Sequence, residues 1–265
     1  MTRNTVMEMF LMVKTSDFTK LRKIDAHSHI GRFGNPFNID FDAERLMLQM
    51  DTYNIEKTIL CSAGCHLNEE TLAAYKKYPE RIIPLVWTNA AEGTAAYEMA
   101  EHYLRDEHFA GIKMQPLFDA FCADDPCVDP LLELAARYHK PVFIHSGHPP
   151  FSLPWQIGLL AERHREVPIV MIHMGHGHGV YVDAAIKMAL RYDNIWLEHS
   201  GMPMGCQIKN AYDNVGHDRV MFGIDSPFHD PTVEMQKVIS CGVSDSGVED
   251  IFYNNAKKFM GQFGW

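Results

Sequence analysis

The chain is short of positive charge: 24 Lys and Arg stand against 34 Asp and Glu in 265 residues, a formal net charge of −10. Nucleic-acid binding relies on neutralising phosphates with Lys and Arg, and no long basic run is present, so that class of partner is set aside. Long hydrophobic runs are missing too, and none approaches the roughly 18 apolar residues of a membrane span. The apolar stretch at 7–13 is interrupted by Glu8 and followed by no small-residue cleavage site, so it is not expected to be a signal peptide, and a cytoplasmic location follows by default. Six cysteines occur without a Cys-x-x-Cys pair; no secreted disulfide framework is indicated, and they read as reduced thiols that pack. No apolar run is followed by Gly-x-Gly-x-x-Gly, which counts against a doubly wound dinucleotide fold, the runner-up architecture. Repeats and linkers are absent as well, and a single domain is the simpler account.

Histidine, by contrast, is abundant. There are 15, many beside Gly, Ser or Pro at the ends of apolar runs. Those runs fall at 24–29, 58–61, 82–87, 109–114, 141–145, 168–173, 195–199 and 220–225, separated by amphipathic stretches such as Leu131, Leu134, Ala135 and Tyr138. Asp129-Pro130 and Asp230-Pro231 read as helix starts, with a capping carboxylate and proline at the first helical position. A closing helix is expected over about 248–260. Near-continuous apolar runs alternating with helices indicate parallel strands buried on both faces, and eight of them close an α/β fold of the (β/α)8 TIM-barrel type. Residues 1–20 are expected to form an extension, with a short helix packed outside the main fold, and 21–265 the barrel domain.

In such a barrel the functional residues sit at the C-terminal ends of the strands. His27, His29, His145, His173, His199 and Asp225 all fall at that end of their runs. His27 and His29, two apart in a strand, share a face, and paired imidazoles suit zinc, iron or nickel. One His-x-His alone is as readily an ordinary polar strand end; six acid or imidazole groups converging on one mouth carry more weight.

Asp25-Ala26-His27-Ser28-His29, His145-Ser146-Gly147, His173-Met174-Gly175 and Gly223-Ile224-Asp225-Ser226-Pro227 resemble, in order and spacing, the amidohydrolase-2 branch of the amidohydrolase superfamily. Asn255-Ala256-Lys257-Lys258-Phe259 is similar to that branch's C-terminal helix, so the likeness runs from about Ile24 to the end of the chain. The resemblance implies that His27, His29, His145 and Asp225 bind one divalent metal ion, with zinc expected, and that His173 stands beside it. Neutral imidazoles and a carboxylate leave an open position for water, whose pKa such a metal lowers to about 7. Asp225 would take that proton and return it to a leaving group, while His173 orients the hydroxide or polarises a substrate oxygen.

Some superfamily members carry a carboxylated lysine at the fourth strand that bridges two metals, and Lys113 sits near that place. In the resembled branch a Gly-x-Lys there is commonly substrate-facing or structural. That reading is preferred here, and the glutamate of related two-metal hydrolases is absent, so one metal is expected. Arg32 is the only arginine placed in a mouth loop; with Lys113 and His199 it makes up the expected substrate contacts. Phe33, Phe37, Trp87, Phe118, Phe121, Phe151, Trp155, Met202 and Phe228 suggest a compact, partly apolar small-molecule substrate with at most one anionic group.

Hydrolysis of an amide, ester or lactone is the first expectation. Non-oxidative decarboxylation of an aromatic or muconate-like acid is the alternative, and a catalytically inactive metal-binding barrel the third reading. His176 and His178 read as exposed loop residues, and His148 and His229 stay open. Cys61, Cys65 and His66 read as packing rather than a structural zinc site, because Cys61 lies inside an apolar run. Oligomers are common among such barrels by family analogy, so a homo-oligomer is compatible with this reading, though no residue establishes one.

Overall fold

The computed structural model describes residues 18–265. The expected N-terminal extension lies outside the described residues apart from a short 3-10 turn, Phe18–Lys20. Eight parallel strands follow in barrel order: β1 Lys23–His29, β4 Ile55–Cys61, β5 Ile82–Thr88, β6 Gly111–Met114, β7 Val142–His145, β8 Ile169–Ile172, β9 Ile195–Glu198 and β10 Val220–Met221. Between the first two lies an antiparallel hairpin, β2 Gly31–Phe33 with β3 Ile39–Phe41. The sequence reading leaves that segment as a loop, because three-residue strands carry too little alternation to register.

The strand expected over 220–225 pairs regularly with β9 only at Val220 and Met221. Beyond them the backbone turns to β1 instead: Ala26 N–H donates to Phe222 O, Asp225 N–H to His27 O and His29 N–H to Ser226 O. This switch closes the barrel.

Alternation along the strands divides the core in two. Ile59 and Cys61 face the barrel interior with Ile83, Leu85 and Phe143, whereas Leu60 packs outward among the helices with Val86 and Ile112. The interior is filled from below by the closing helical segment, where Phe259 meets Trp196 at a 4.9 Å ring separation and Phe143 at 6.1 Å. That segment runs as Asp245–Glu249, a π turn at Asp250–Asn254 and Asn255–Gly261, close to the expected helix. With one end plugged, the opposite end is left for ligands.

Helix starts follow their side chains. Asp230 accepts from the backbone N–H groups of Thr232 and Val233 ahead of the helix Pro231–Ser240, as its Asp-Pro pair suggests. Asp129 differs: it is the first residue of the helix Asp129–Arg137, and its carboxylate meets Arg163 and His164 rather than capping. The cap in that region is Asp125, which accepts from Cys127 N–H ahead of the short turn Pro126–Val128.

Candidate metal centre and its cavity

Of the histidines singled out at strand ends, His29, His145 and His173 line the open mouth, His27 lies buried against them, and His199 points elsewhere. His27 and His29, on consecutive alternate positions of β1, place their Nε2 atoms 3.3 Å apart. Asp225 Oδ1 lies 3.2 Å from His27 Nε2 and 3.4 Å from His29 Nε2, and Asp225 Oδ2 lies 3.9 Å from His173 Nε2. All four groups are buried. His145 is adjacent, its ring centroid 4.6 Å from that of His173, with its Nε2 held at 2.7 Å from His148 Nδ1.

Backbone oxygens aim two of these rings. His29 Nδ1 meets Ser62 O at 3.0 Å and His173 Nδ1 meets Ser200 O at 2.7 Å. A carbonyl accepts only from a protonated ring nitrogen, so in each case Nδ1 carries an N–H and Nε2 is the ring atom that faces the cluster. The β8 end makes this possible through unusual backbone: His173 has φ of 65° and Met174 of 34°, in the left-handed region. Asp225, with φ of 61°, is held in the same way at the end of the last strand.

Electrostatics favour the ligand form of the imidazoles. Burial, with the charge of Lys113 next for His27 and His173, pushes His27, His145 and His173 well below the ordinary histidine pKa, so they are neutral. His29 is the exception: burial opposes its charge, but Cys61 and the Asp225 carboxylate outweigh this and raise it to about 10. A cation bound in the cluster would replace that proton as the partner of Asp225. Three neutral imidazoles, a fourth that is proton-loaded beside a carboxylate, and preset tautomers fit a divalent metal ion. His27, His173 and Asp225 each bring one donor atom within 4.8 Å of the other two.

Above the cluster lies a cavity of about 460 Å³. Its floor is His29, His145, His173 and Asp225, and its walls include Phe33, Trp87, Phe118 and Phe228. Phe33 and Phe228 pack edge to face at 4.8 Å, and Trp87 and Phe118 lie nearly parallel, 18° apart at 6.5 Å. Phe37 closes against Phe228 at 5.0 Å. The other expected mouth residues are elsewhere: Phe121 and Met202 are core, and Trp155 packs on Tyr181.

Among the described residues, no lysine or arginine lines the cavity. Arg32 is exposed on the far side of the hairpin, in a shallow groove with Asp40, Glu44 and Glu70, while its neighbour Phe33 faces the cavity. Lys113 is buried behind the histidines, and its Nζ has no hydrogen-bond partner among the described residues. His199 is fully buried away from the cavity, its Nδ1 3.6 Å from Glu234 Oε2. The residue of that strand that faces the barrel interior is Glu198, which accepts from the Ser200 hydroxyl at 2.8 Å and from His173 N–H at 3.3 Å. Strand parity would have found it, since alternate residues change face and Glu198, not His199, is in step with Trp196 inside the barrel.

His148, His176 and His229 also line the cavity. His176, expected to be an exposed loop residue, sits 4.5 Å from His148 between ring centroids, because Met174 and His176 both take positive φ and fold the loop inward. His178 is exposed and caps the helix Gly179–Arg191 by accepting from Val180 N–H.

The sequence matches the family model described as Amidohydrolase over residues 24–262. No curated protein shows a significant match. Among solved structures, the chain is similar to 5-carboxyvanillate decarboxylase from Novosphingobium aromaticivorans, solved with manganese and a nitrobenzoic acid. That likeness has a TM-score of 0.73 at 16% identity, covering 92% of this chain and 97% of that one. It is similar to 2,6-dihydroxybenzoate decarboxylase from Rhizobium, with a TM-score of 0.70 at 17% identity over 91% and 99% of the two chains. A putative amidohydrolase from Staphylococcus aureus gives 0.72 at 16% identity over 91% and 100%. At such identities the structural likeness speaks to the barrel, whereas the family match spans nearly the whole sequence: the chain belongs to the amidohydrolase family and is an enzyme of that superfamily.

Proposed function

We propose that this enzyme is a metal-dependent, non-oxidative decarboxylase of a small aromatic acid. The observation that carries the reading is the cavity: planar aromatic walls stand directly over the imidazole and carboxylate cluster, and no Lys or Arg among the described residues lines it. A ring stacks well between Trp87, Phe118 and Phe228, and a single carboxylate has only the metal to neutralise it. The manganese-bound 5-carboxyvanillate decarboxylase of similar fold supports this order over hydrolysis, which the sequence reading placed first.

His27, His29, His145 and Asp225 would hold the ion, with His173 completing the group beside Asp225. When bound, the ion supplies positive charge that fixes the substrate carboxylate and stabilises electron density left behind on the ring. Imidazole and carboxylate donors accept zinc and manganese alike, so the choice between them belongs to experiment.

Decarboxylation breaks the bond between ring carbon and carboxylate carbon, releases carbon dioxide and leaves an electron pair on the ring carbon. That carbon takes up one proton, so the product is the ring with hydrogen where the carboxylate stood. In this reading Asp225 would deliver that proton. His229, about one third exposed, has Nε2 at 3.5 Å from Asp225 Oδ2 and can return a proton from solvent. Phe33 and Phe228 cover the site and keep water from the carbon that must be protonated once. Reaction in deuterium oxide tests the step: the product should carry one deuterium at the vacated carbon, formed by the wild type and lost with Asp225→Asn.

Hydrolysis of a neutral ester or lactone is the second reading, favoured by the same shortage of cations in the cavity. Turnover of neutral lactones, with no release of carbon dioxide from any acid, would place it first.

A further inference from the structure

Cys65 and His66 lie in the loop after β4, and Glu92 ends the 3-10 turn Ala90–Glu92 after β5. The sequence pairs Cys65 with Cys61, yet the structure separates them: Cys61 Sγ lies 3.2 Å from His29 Nδ1, under the metal centre, while Cys65 turns toward Glu92. One donor atom from each of Cys65, His66 and Glu92 lies within 4.8 Å of the other two. His66 Nε2 is 2.9 Å from Glu92 Oε1.

The arrangement is held from beneath. The amide of Asn68, itself 2% exposed, donates at 2.9 Å to both Cys65 O and Trp87 O, and its oxygen accepts from Trp87 N–H at 2.9 Å. Three bonds from one buried amide thus lock the Cys65 loop to the end of β5, three residues before the turn that presents Glu92. Asn89 caps that turn and also reaches Glu92 Oε1. Cys65 is buried, Glu92 partly covered, and the His66 side chain 69% exposed, so an ion can enter from solvent.

We propose that Cys65, His66 and Glu92 form a second divalent-metal site of zinc type, separate from the histidine and aspartate centre. One sulfur, one nitrogen and one carboxylate oxygen make a mixed donor set suited to zinc, with the fourth tetrahedral position open to water. Bond lengths of about 2.0–2.3 Å require the donors to draw in slightly, and the exposed His66 is free to swing. Without metal, burial and the neighbouring Asp119 and Glu92 push the Cys65 thiol up to about 12, so it carries its proton. Binding therefore converts thiol and free ion into a sulfur–metal bond and one proton released to solvent. Since Asp119, the acid whose charge acts on Cys65, holds the Trp87 indole N–H at 2.8 Å, the ion would sit behind one wall of the cavity.

The site does not depend on the reaction proposed above, and the test separates the two. Cobalt(II) is titrated into full-length His27→Ala protein, and thiolate-to-cobalt charge-transfer absorption is recorded in the near ultraviolet. The band is expected there, and is expected to vanish when Cys65→Ser is added and to weaken at least tenfold in apparent affinity with His66→Ala. After zinc loading and desalting, wild type should hold about two ions per chain, and His27→Ala and Cys65→Ser about one each. His66 is too exposed for its loss to unfold the chain, so that variant stands if Cys65→Ser folds poorly. A band that is missing, or that survives both loop substitutions, overturns the site, as does a wild-type content of one. Loss of both ions in His27→Ala would also overturn it, since it would mean one binuclear centre.

Discussion

The carboxylate of Asp25 accepts a hydrogen bond of 2.9 Å from the backbone N–H of Ile224, its partner 199 residues along the chain. It also accepts from His27 N–H at 3.1 Å and from the Ser28 hydroxyl. One buried acid therefore joins β1 to the segment that follows the last strand and sets the backbone of His27 and Asp225 together. Asp25→Ala leaves these donors without an acceptor. At about 1–3 kcal/mol per orphaned buried group, the variant should lose about 3 kcal/mol, or about 6–12 °C in Tm for a chain of this size. Calorimetry showing a loss below about 1 kcal/mol would remove Asp25 from this role.

Gly147 follows the His145 strand end with φ of +91°, and a Cβ there would lie 2.4 Å from Gly175 O in the His173 turn. Gly147→Ala must push these two turns apart. A cost of about 1–3 kcal/mol is expected from the backbone conformation alone, together with weaker metal retention, because His145 and His173 move. Unchanged Tm and metal content would contradict this.

Phe37 and Phe118 are exposed aromatics at the cavity rim. Replacing both with alanine should raise KM about tenfold with kcat within about threefold, as expected when binding common to ground and transition states is removed. Tm should move by less than about 2 °C. A fall in kcat with KM unchanged would mean that the rim acts on the chemical step.

Burial drives Glu198 up to about 8 despite the donors from Ser200 and His173. A folded pKa above the ~4.3 of a free glutamate means that the protonated group favours folding. Its contribution is complete below about pH 4 and is lost as pH rises through about 8. The metal-free wild type should therefore lose stability between about pH 5 and 8 more steeply than Glu198→Gln, as followed by denaturant midpoints. Parallel curves would show that Glu198 is ionised throughout.

Much of this was legible in the sequence because strand ends announce themselves: His27, His29, His145, His173 and Asp225 each terminate an apolar run, and the barrel brings run ends together. Glu198 and His199 were exchanged because a two-residue choice at a strand end turns on parity, and the run at 195–199 is apolar enough to hide it. The sequence reading aims Arg32 at the mouth, whereas the hairpin alternates Arg32 outward into the groove and Phe33 inward to the cavity, an alternation too short to show in three residues. His176 could not be read at all. Its position depends on positive φ at His173, Met174, Gly175 and His176, and of these only the glycine signals such a conformation in a sequence.

The central claim is the release of carbon dioxide from an aromatic acid. Protein loaded separately with manganese and with zinc would be incubated with carboxyl-labelled benzoates bearing different ring hydroxyl patterns, and with neutral lactones, esters and amides. Labelled carbon dioxide would be followed by mass spectrometry. The account predicts release from at least one hydroxylated benzoate, dependent on added metal and reduced at least about 10²-fold by Asp225→Asn. Hydrolysis of a neutral substrate, with no labelled carbon dioxide from any acid in either metal, would contradict it.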